Sequence, residues 1–218
     1  ISDRVAYATD LAAAVGDAPL IVETVTEDRE VKAAVYEEIE RHAPPSATIA
    51  TNTSSLSITE LASSLSDPEQ FCGTHWFHPA HIVPVVEVVY GERTADETVD
   101  AAAAFLESIG KDSVVVERDV PGFIANRIQS AMAREAWALL GAGIASAEDI
   151  DRAVKGTFGF RLLTLGVLEK GDHSGLDVHH KVLTELLGEV DSRPEPPAVL
   201  TELVDEGRVG LKAGRGVY

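Results

Sequence analysis

The sequence predicts an α/β fold with a mostly parallel sheet, followed by an all-α region. Before Asp119, short apolar runs rich in β-branched residues alternate with amphipathic helical stretches, and this pattern favours parallel strands with helices on both faces of the sheet. After Pro121 and Gly122 only helical patterns remain. We therefore predict two domains, residues 1–119 and residues 120–218, with the boundary near Asp119 to Pro121.

Apolar runs predict the strands of the first domain. Most of them are rich in valine, isoleucine or threonine, which pack well on a pleated surface. The predicted strands cover residues 20–25, 47–52, 71–77, 83–91 and 112–119.

Helices are predicted between these strands, at residues 27–42, 57–66 and 94–110. In the first of them Val31, Val35 and Ile39 fall on one helical stripe, which predicts its buried face. Pro44 and Pro45 end it.

Capping signals mark the other two helices. Ser57 and Thr94 each stand three residues before a glutamate, which is the spacing of a capping box. Gly110 stands where a helix C-terminal glycine is expected.

Four helices are predicted in the second domain, at residues 123–143, 146–156, 174–190 and 196–207. The first of these carries apolar residues at Ile124, Ile128, Met132, Leu139 and Leu140. Such residues serve either the core of the domain or an interface with a second copy, and periodicity does not separate the two.

The charge balance restricts the partners. The chain has 36 acidic and 18 basic residues, a net charge of −18, and such a surface repels nucleic acid and anionic membranes. An acidic surface that is poor in lysine resembles the surfaces of proteins from salt-loving organisms. The alternative is an acidic cytosolic protein with no adaptation to salt. The single cysteine, Cys72, excludes an internal disulfide framework and favours a reducing cytoplasm.

The stretch Asn52-Thr53-Ser54-Ser55-Leu56 follows a predicted strand and precedes a helix. Open α/β sheets bind ligands at the carboxyl ends of their strands, where these polar side chains would offer hydrogen bonds. Spacing alone favours the alternative, a turn that caps the following helix.

Three of the seven histidines, His75, His78 and His81, stand three residues apart in one stretch. A metal site needs ligands that converge on one point. Side chains three apart in a strand face opposite sides, and Pro79 and Pro84 prevent a continuous helix. The sequence therefore disfavours a metal site here.

A second interpretation of this stretch is a general base. Glu87 stands within an apolar run, where burial is costly unless the carboxylate has a partner. His75 is a natural partner, because a carboxylate on one ring nitrogen fixes the tautomer and raises the basicity of the other nitrogen. The residues alone leave open whether the two form a dyad or Glu87 faces water.

Asn126 lies among apolar residues just after the predicted domain boundary. An asparagine at a cleft between domains is a candidate substrate contact. An asparagine on the helix surface is equally consistent with the sequence.

Taken together, these stretches resemble the L-3-hydroxyacyl-CoA dehydrogenases, including the short-chain 3-hydroxybutyryl-CoA type. The matching segments span nearly the whole chain in the family's order: VETVTEDREVK, ATNTSSLSIT, FCGTHWFHPAHIVPVVEVV, DVPGFIANRI, SAEDIDRAVK and GLKAGRGVY. The resemblance implies a partial Rossmann-type, doubly wound sheet in residues 1–119 and a helical substrate and dimerisation domain in residues 120–218. It also implies NAD-dependent oxidation of a 3-hydroxyacyl-CoA to the 3-ketoacyl-CoA, in fatty acid metabolism, by a homodimer.

The resemblance assigns catalytic roles to residues already singled out. His75 matches the catalytic base, and Glu87 matches the carboxylate that orients it. Ser54 and Asn126 match the residues that hydrogen-bond the reacting oxygen of the substrate.

The resemblance also implies contacts with the cofactor and the substrate. Glu27 and Lys32 match positions on the ribose side of NAD, and Asn52 matches a residue of the same active-site loop. His78 stands where the family usually has an asparagine that borders the substrate pocket. This difference leaves the identity of the substrate open.

The sequence lacks the family's phosphate-binding turn. No G-x-G-x-x-G occurs before Leu20, although that motif begins the family's first strand and helix. We expect a truncated product or a piece of a longer chain that, as it stands, binds NAD poorly or not at all. We also expect the strand at residues 20–25 to be an exposed edge that is prone to aggregation.

Two other functions stay open at this point. Related enzymes oxidise 3-hydroxy acids that carry no CoA, of the carnitine or gulonate type. Some relatives, such as lambda-crystallin, are structural proteins, which makes a non-catalytic paralogue the second alternative.

Overall fold

The predicted strands pair into one five-stranded sheet in the computed structural model, which describes residues 5–218. The strands lie side by side in chain order and are β1 (Leu20–Glu23), β2 (Thr48–Thr51), β3 (Phe71–Trp76), β4 (Val85–Val89) and β5 (Asp112–Val116). Neighbouring strands are parallel except for β3 and β4, which are antiparallel. The mostly parallel sheet is therefore confirmed. Among the described residues β1 pairs on one side only, with β2.

The strand directions create one end of the sheet that collects polar residues. β1, β2 and β3 finish at this end, whereas β4 and β5 start there, because Trp76 lies opposite Val86 and Val85 lies beside Asp112. We call it the carboxyl end of the sheet. Open α/β sheets bind ligands at such an end.

Helices cover both faces of the sheet. One face packs against α1 (Leu11–Val15), α2 (Arg29–His42) and α3 (Ile58–Ala62), and the other packs against α4 (Asp96–Ser108). Successive strand residues divide between the two layers, so Phe71 packs toward α2 and α3 while Cys72 packs toward α4. His75 stands four residues after Phe71 in β3 and shares its face.

The buried face of α2 differs from the predicted one. Val31 is 42% exposed, whereas Lys32 and Tyr36 are 0% exposed and are buried together with Ile39. The predicted stripe is therefore wrong at its first position. The physical reason is that Glu23 pairs with the Lys32 ammonium, which lets the helix bury a residue type that is normally exposed.

Only one of the two predicted helix caps forms. Ser57 caps α3 by accepting a hydrogen bond from the Glu60 amide (3.1 Å), while the Glu60 side chain pairs with Arg29. Thr94 does not cap α4, which begins at Asp96. Its hydroxyl instead donates to a carbonyl oxygen of β3 at 2.6 Å, so the threonine links the strand to the helix.

The chain divides into two compact units between Arg127 and Ile128. The second unit is helical, as predicted, and is entered through α5 (Ala125–Gly141), which is followed by α6 (Ala147–Val154), α7 (Val167–Ser174), α8 (Leu176–Leu186) and α9 (Ala198–Asp205). Within residues 5–218, none of the helices combines the length and apolar character that a membrane span requires.

The sequence-based prediction missed α7. This helix is separated from α8 by Gly175 alone, which adopts a φ of +87°. The available signal was Glu169, whose side chain accepts a hydrogen bond from the Gly166 amide at 2.7 Å. A glutamate three residues after a turn is half of a capping box.

Candidate active site

A histidine and a glutamate face each other across β3 and β4. His75 and Glu87 are direct partners in the antiparallel register, and Nδ1 of His75 lies 2.6 Å from Oε2 of Glu87. Both residues are buried, with exposures of 3% and 2%. Because a carboxylate only accepts hydrogen bonds, Nδ1 carries the proton and donates it. Nε2 of His75 is then the nitrogen with a lone pair available for a substrate.

The second oxygen of Glu87 binds the start of α5. Oε1 accepts hydrogen bonds from the amides of Ile124 (3.1 Å) and Ala125 (2.9 Å). Burial raises the pKa of the Glu87 carboxyl, but the hydrogen bonds from His75 and from these two amides outweigh it, so the pKa lies below its usual range. Glu87 is therefore an ionised partner for His75 and an anion at a helix N-terminus.

Two aromatic rings enclose the imidazole of His75. The ring centroid of Phe77 lies 4.4 Å from it and that of Phe123 lies 5.6 Å from it. Phe123 is 2% exposed and has a positive φ of 48°, a conformation that is strained for a phenylalanine. Neither ring was predicted as part of the site: Phe123 is distant from His75 along the chain, and the position of Phe77 two residues after His75 was the available signal for the other ring.

The loop after β2 joins the same region through Asn52. The backbone amide of Asn52 donates to the carbonyl oxygen of Glu23 (2.7 Å), and its side-chain oxygen accepts from the backbone amide of Trp76 (3.3 Å). Asn52 therefore ties the loop to the ends of β1 and β3. It lies in the predicted active-site loop, and its contacts are with the protein backbone.

Ser54 and Asn126 meet although they are far apart in sequence. Nδ2 of Asn126 donates to the carbonyl oxygen of Ser54 at 3.2 Å, and Ser54 itself is exposed. Asn126 follows Ala125, whose amide binds Glu87. The first turn of α5 thus connects the histidine–glutamate pair with the loop after β2.

Glu27 holds the loop after β2 from the other side. Its Oε1 accepts hydrogen bonds from the hydroxyl of Thr53 (2.6 Å) and from the amides of Ser54 (2.9 Å) and Ser55 (3.3 Å). Burial raises the pKa of the Glu27 carboxyl, but these hydrogen bonds and the charge of Lys32 outweigh it, so the pKa lies below its usual range. An ionised Glu27 is thus an anchor for the backbone of the predicted substrate-binding serine.

Lys32 lies inside a buried polar network. Its ammonium is 2.9 Å from both carboxylate oxygens of Glu23 and donates to the carbonyl oxygen of Asn52 at 3.1 Å. The hydroxyls of Thr51 and Tyr36 lie 2.8 and 2.9 Å from the same carboxylate. Burial raises the pKa of Tyr36. The structure therefore places Lys32 behind the loop, in contact with its backbone, rather than at the surface.

The three neighbouring histidines have different positions. His75 is buried in β3, whereas His78 and His81 are exposed on the segment between β3 and β4. No three histidine, cysteine, aspartate or glutamate side chains within residues 5–218 are arranged to hold a metal ion.

Both parts of the chain match models of one protein family. Residues 1–120 match the model described as "3-hydroxyacyl-CoA dehydrogenase, NAD binding domain". Residues 122–218 match the model described as "3-hydroxyacyl-CoA dehydrogenase, C-terminal domain".

Relatives of this chain carry the names of different dehydrogenases. The chain is 35% identical over 214 residues to the 5-formyl-3-hydroxy-2-methylpyridine 4-carboxylate 5-dehydrogenase of Mesorhizobium japonicum, covering 98% of this chain and 69% of the relative. It is 37% identical over 203 residues to the 3-hydroxybutyryl-CoA dehydrogenase of Bradyrhizobium diazoefficiens, covering 93% and 68%. A crystal structure of a 5-formyl-3-hydroxy-2-methylpyridine 4-carboxylic acid 5-dehydrogenase, described as an NAD+-dependent dismutase, superposes with a TM-score of 0.92 at 35% identity, covering 96% of this chain and 68% of that one.

Proposed function

This chain belongs to the 3-hydroxyacyl-CoA dehydrogenase family, NAD-dependent oxidoreductases that act on CH–OH donors, and we propose that it oxidises the 3-hydroxyl group of a 3-hydroxyacyl-CoA to the ketone in fatty acid metabolism. The observation that carries the proposal is the buried contact of 2.6 Å between His75 and Glu87. It supplies a base whose tautomer and orientation are fixed.

His75 is the proposed proton acceptor. Its Nε2 takes the proton from the C3 hydroxyl of the substrate, and the imidazolium that forms is stabilised by Glu87. In the reverse direction the same nitrogen returns the proton to the forming alkoxide. Phe77 and Phe123 flank the ring and exclude water from it, which strengthens the attraction between imidazolium and carboxylate.

Ser54 and Asn126 are the proposed partners of the reacting oxygen. Their hydrogen bond of 3.2 Å brings the loop after β2 and the first turn of α5 together. A hydroxyl and an amide held at such a position meet the charge that develops on oxygen with dipoles that are already oriented.

The residues at the carboxyl end of the sheet fit the ribose side of NAD. Glu27 is exposed and ionised in the loop after β1, and a carboxylate is a suitable acceptor for ribose hydroxyls. We propose Glu27 and Asn52 as the residues nearest the cofactor, with Lys32 acting through the loop backbone that it binds. NAD, when bound, accepts the hydride that leaves C3.

A substrate without CoA is the second candidate. The Mesorhizobium relative, 35% identical, is named for a pyridine carboxylate. We propose His78 as a substrate contact. It lies on the exposed segment that follows His75, at a position where the family usually has an asparagine. An imidazole differs from an amide in size and in charge, so it is the residue most suited to change which acyl group or acid is accepted.

The test of the proposed function is an assay of the protein expressed from its complete reading frame. NADH formation is followed in parallel with 3-hydroxybutyryl-CoA, carnitine, gulonate and 5-formyl-3-hydroxy-2-methylpyridine 4-carboxylate, the compound for which the Mesorhizobium relative is named. We expect the CoA ester to have the highest kcat/KM. A preference for one of the free acids contradicts the CoA assignment, and no NADH with any of them, together with normal folding, supports the non-catalytic paralogue.

We also propose that the helical unit forms a homodimer. The supporting observation is that large apolar side chains of α8 are exposed, including Leu176 at 64% and Leu186 at 53%. Exposed apolar patches of this kind mark sites of protein association. Light scattering of the purified protein measures its mass, and we expect the mass of two chains. The mass of one chain at micromolar concentration would contradict the proposal.

We propose that this is a cytoplasmic protein of a high-salt cell. The net charge of −18 supports this proposal, because close like charges destabilise the compact state unless salt screens them. The sole cysteine, Cys72, is buried and reduced, in accord with a reducing compartment. We expect the melting temperature to rise by several degrees between low and molar KCl, and a constant or falling melting temperature is the contrary result.

A further inference from the structure

The segment that carries His78 is folded around one ammonium group. We define the 78–84 loop as residues 78–84, between β3 and β4. Nζ of Lys111 donates hydrogen bonds to the carbonyl oxygens of Ala80 (2.5 Å) and Val83 (2.6 Å). These two carbonyls converge on the lysine from opposite ends of one turn.

The 78–84 loop has few other bonds that fix its shape. The amides of Ile82 and Val83 both point to the carbonyl oxygen of Pro79, at 3.0 and 3.1 Å. Proline has no amide hydrogen, so Pro79 and Pro84 donate nothing. The carbonyl of Pro84 accepts from the amide of Asp112 at 2.9 Å, which secures only the end of the loop.

Lys111 is itself held by regular structure. Gly110, with a φ of +78°, ends α4 as the sequence predicts, and the Lys111 amide donates to the carbonyl oxygen of Leu106 at 3.0 Å. The next residue, Asp112, begins β5 and pairs with Val85 of β4. The stem of the lysine therefore starts from a fixed point at the carboxyl end of the sheet.

We propose that Lys111 is a positioning residue that sets the 78–84 loop as one wall of the substrate site. This inference rests on the proposed function, in which His78 borders the substrate. Hydrogen bonds from a charged donor are about twice as strong as neutral ones. Without the ammonium, two carbonyl dipoles that point at the same spot lose their shared donor, and the loop opens toward solvent.

Replacement of Lys111 by methionine tests the inference, because methionine keeps an unbranched stem and removes the donors. We expect hydrogen exchange at the amides of Ile82 and Val83 to accelerate about tenfold or more while the amides of β3 and β4 keep their protection. We expect KM for the substrate to rise about tenfold with kcat changed by less than about twofold, the sign of lost binding rather than lost chemistry. Lys111→Arg retains charge and donors and is expected to restore most of both properties.

Lys181→Met is the matched control. Lys181 is an exposed residue of α8 whose ammonium lies 4.0 Å from Glu185, and its loss is expected to change neither loop exchange nor KM. Unchanged exchange at Ile82 and Val83 in Lys111→Met overturns the inference whatever the substrate is. Faster exchange with an unchanged KM overturns the positioning role, and so does a fall in kcat alone. An inactive wild-type protein contradicts the proposed function, while hydrogen exchange still decides whether Lys111 holds the loop.

Discussion

Replacing His75 by alanine is expected to lower kcat for NADH formation by about 10² to 10⁴-fold, the usual contribution of a general base. His75 is 3% exposed and is bound to Glu87, and the other titratable side chain of β3, Cys72, packs on the opposite face of the sheet. KM for NAD is expected to change little, because the proposed cofactor contacts lie on the loops after β1 and β2. Steady-state kinetics with saturating NAD measures both quantities.

His180→Ala is the control for this experiment. His180 is an exposed residue of α8. Its replacement also removes an imidazole, but one that is far from His75 along the chain. Its kcat is expected to equal that of the wild type. If His75→Ala also retained wild-type turnover, the assignment of the base would be wrong, even if the enzyme were a dehydrogenase.

The elements that the sequence predicted well are those whose signal is local. Apolar runs between turn residues identified the strands, and Gly110 identified the end of α4. The residues left two interpretations of Glu87 open, a partner of His75 or a carboxylate that faces water, because a glutamate in an apolar strand needs a partner if it is buried. The antiparallel register of β3 and β4 decides between them, since it places His75 directly opposite Glu87.

The features that the sequence did not predict depend on tertiary contacts. The predicted apolar stripe of α2 did not include Lys32, whereas its ammonium is enclosed by the Glu23 carboxylate and by groups of β2. Phe123 lies beside His75 only because the chain returns to β4 after β5 and turns there with a positive φ. Lys111 binds carbonyl oxygens, which leave no trace in the sequence. Each of these contacts joins residues of different secondary-structure elements or loops.

The site is a connected series of contacts rather than one dyad. His75 binds Glu87, Glu87 binds the first turn of α5, and Asn126 in that turn binds the loop that Glu27 anchors. Two carboxylates, Glu87 and Glu27, belong to the series, and each accepts hydrogen bonds from backbone amides as well as from a side chain. Loss of one carboxylate is therefore expected to displace groups on two elements at once.

Replacing Glu87 by alanine is expected to lower the free energy of unfolding by about 3–5 kcal/mol, since it leaves a buried imidazole and two amides without their acceptor. Glu87→Gln keeps an acceptor for the amides of Ile124 and Ala125 but loses the anion, and its cost is expected to be smaller, about 1.5–3 kcal/mol. Both variants are expected to have a lower kcat, because His75 loses the charge that stabilises its imidazolium. Denaturant unfolding and steady-state kinetics measure the two effects.

The stability difference between the wild type and Glu87→Gln is expected to depend on pH in a defined direction. The folded-state pKa of Glu87 lies below its ordinary value of 4.5, so the unfolded chain binds this proton more readily than the folded one. The stabilisation is then fully present above the ordinary pKa and is lost as the pH falls through the folded-state pKa. Unfolding at constant ionic strength from about pH 7 down to about pH 3 measures the difference.

Glu37→Gln provides the baseline for the same pH series. Glu37 is an exposed residue of α2, and its replacement is expected to change the free energy of unfolding by less than about 0.5 kcal/mol at every pH. The other carboxylates titrate equally in all three proteins, so the differences report the pair of Glu87 and His75. A difference in free energy of unfolding between wild type and Glu87→Gln that stayed constant down to about pH 3 would mean that Glu87 is not an ionised partner of His75. The base would then lack the charge on which its proposed reactivity depends.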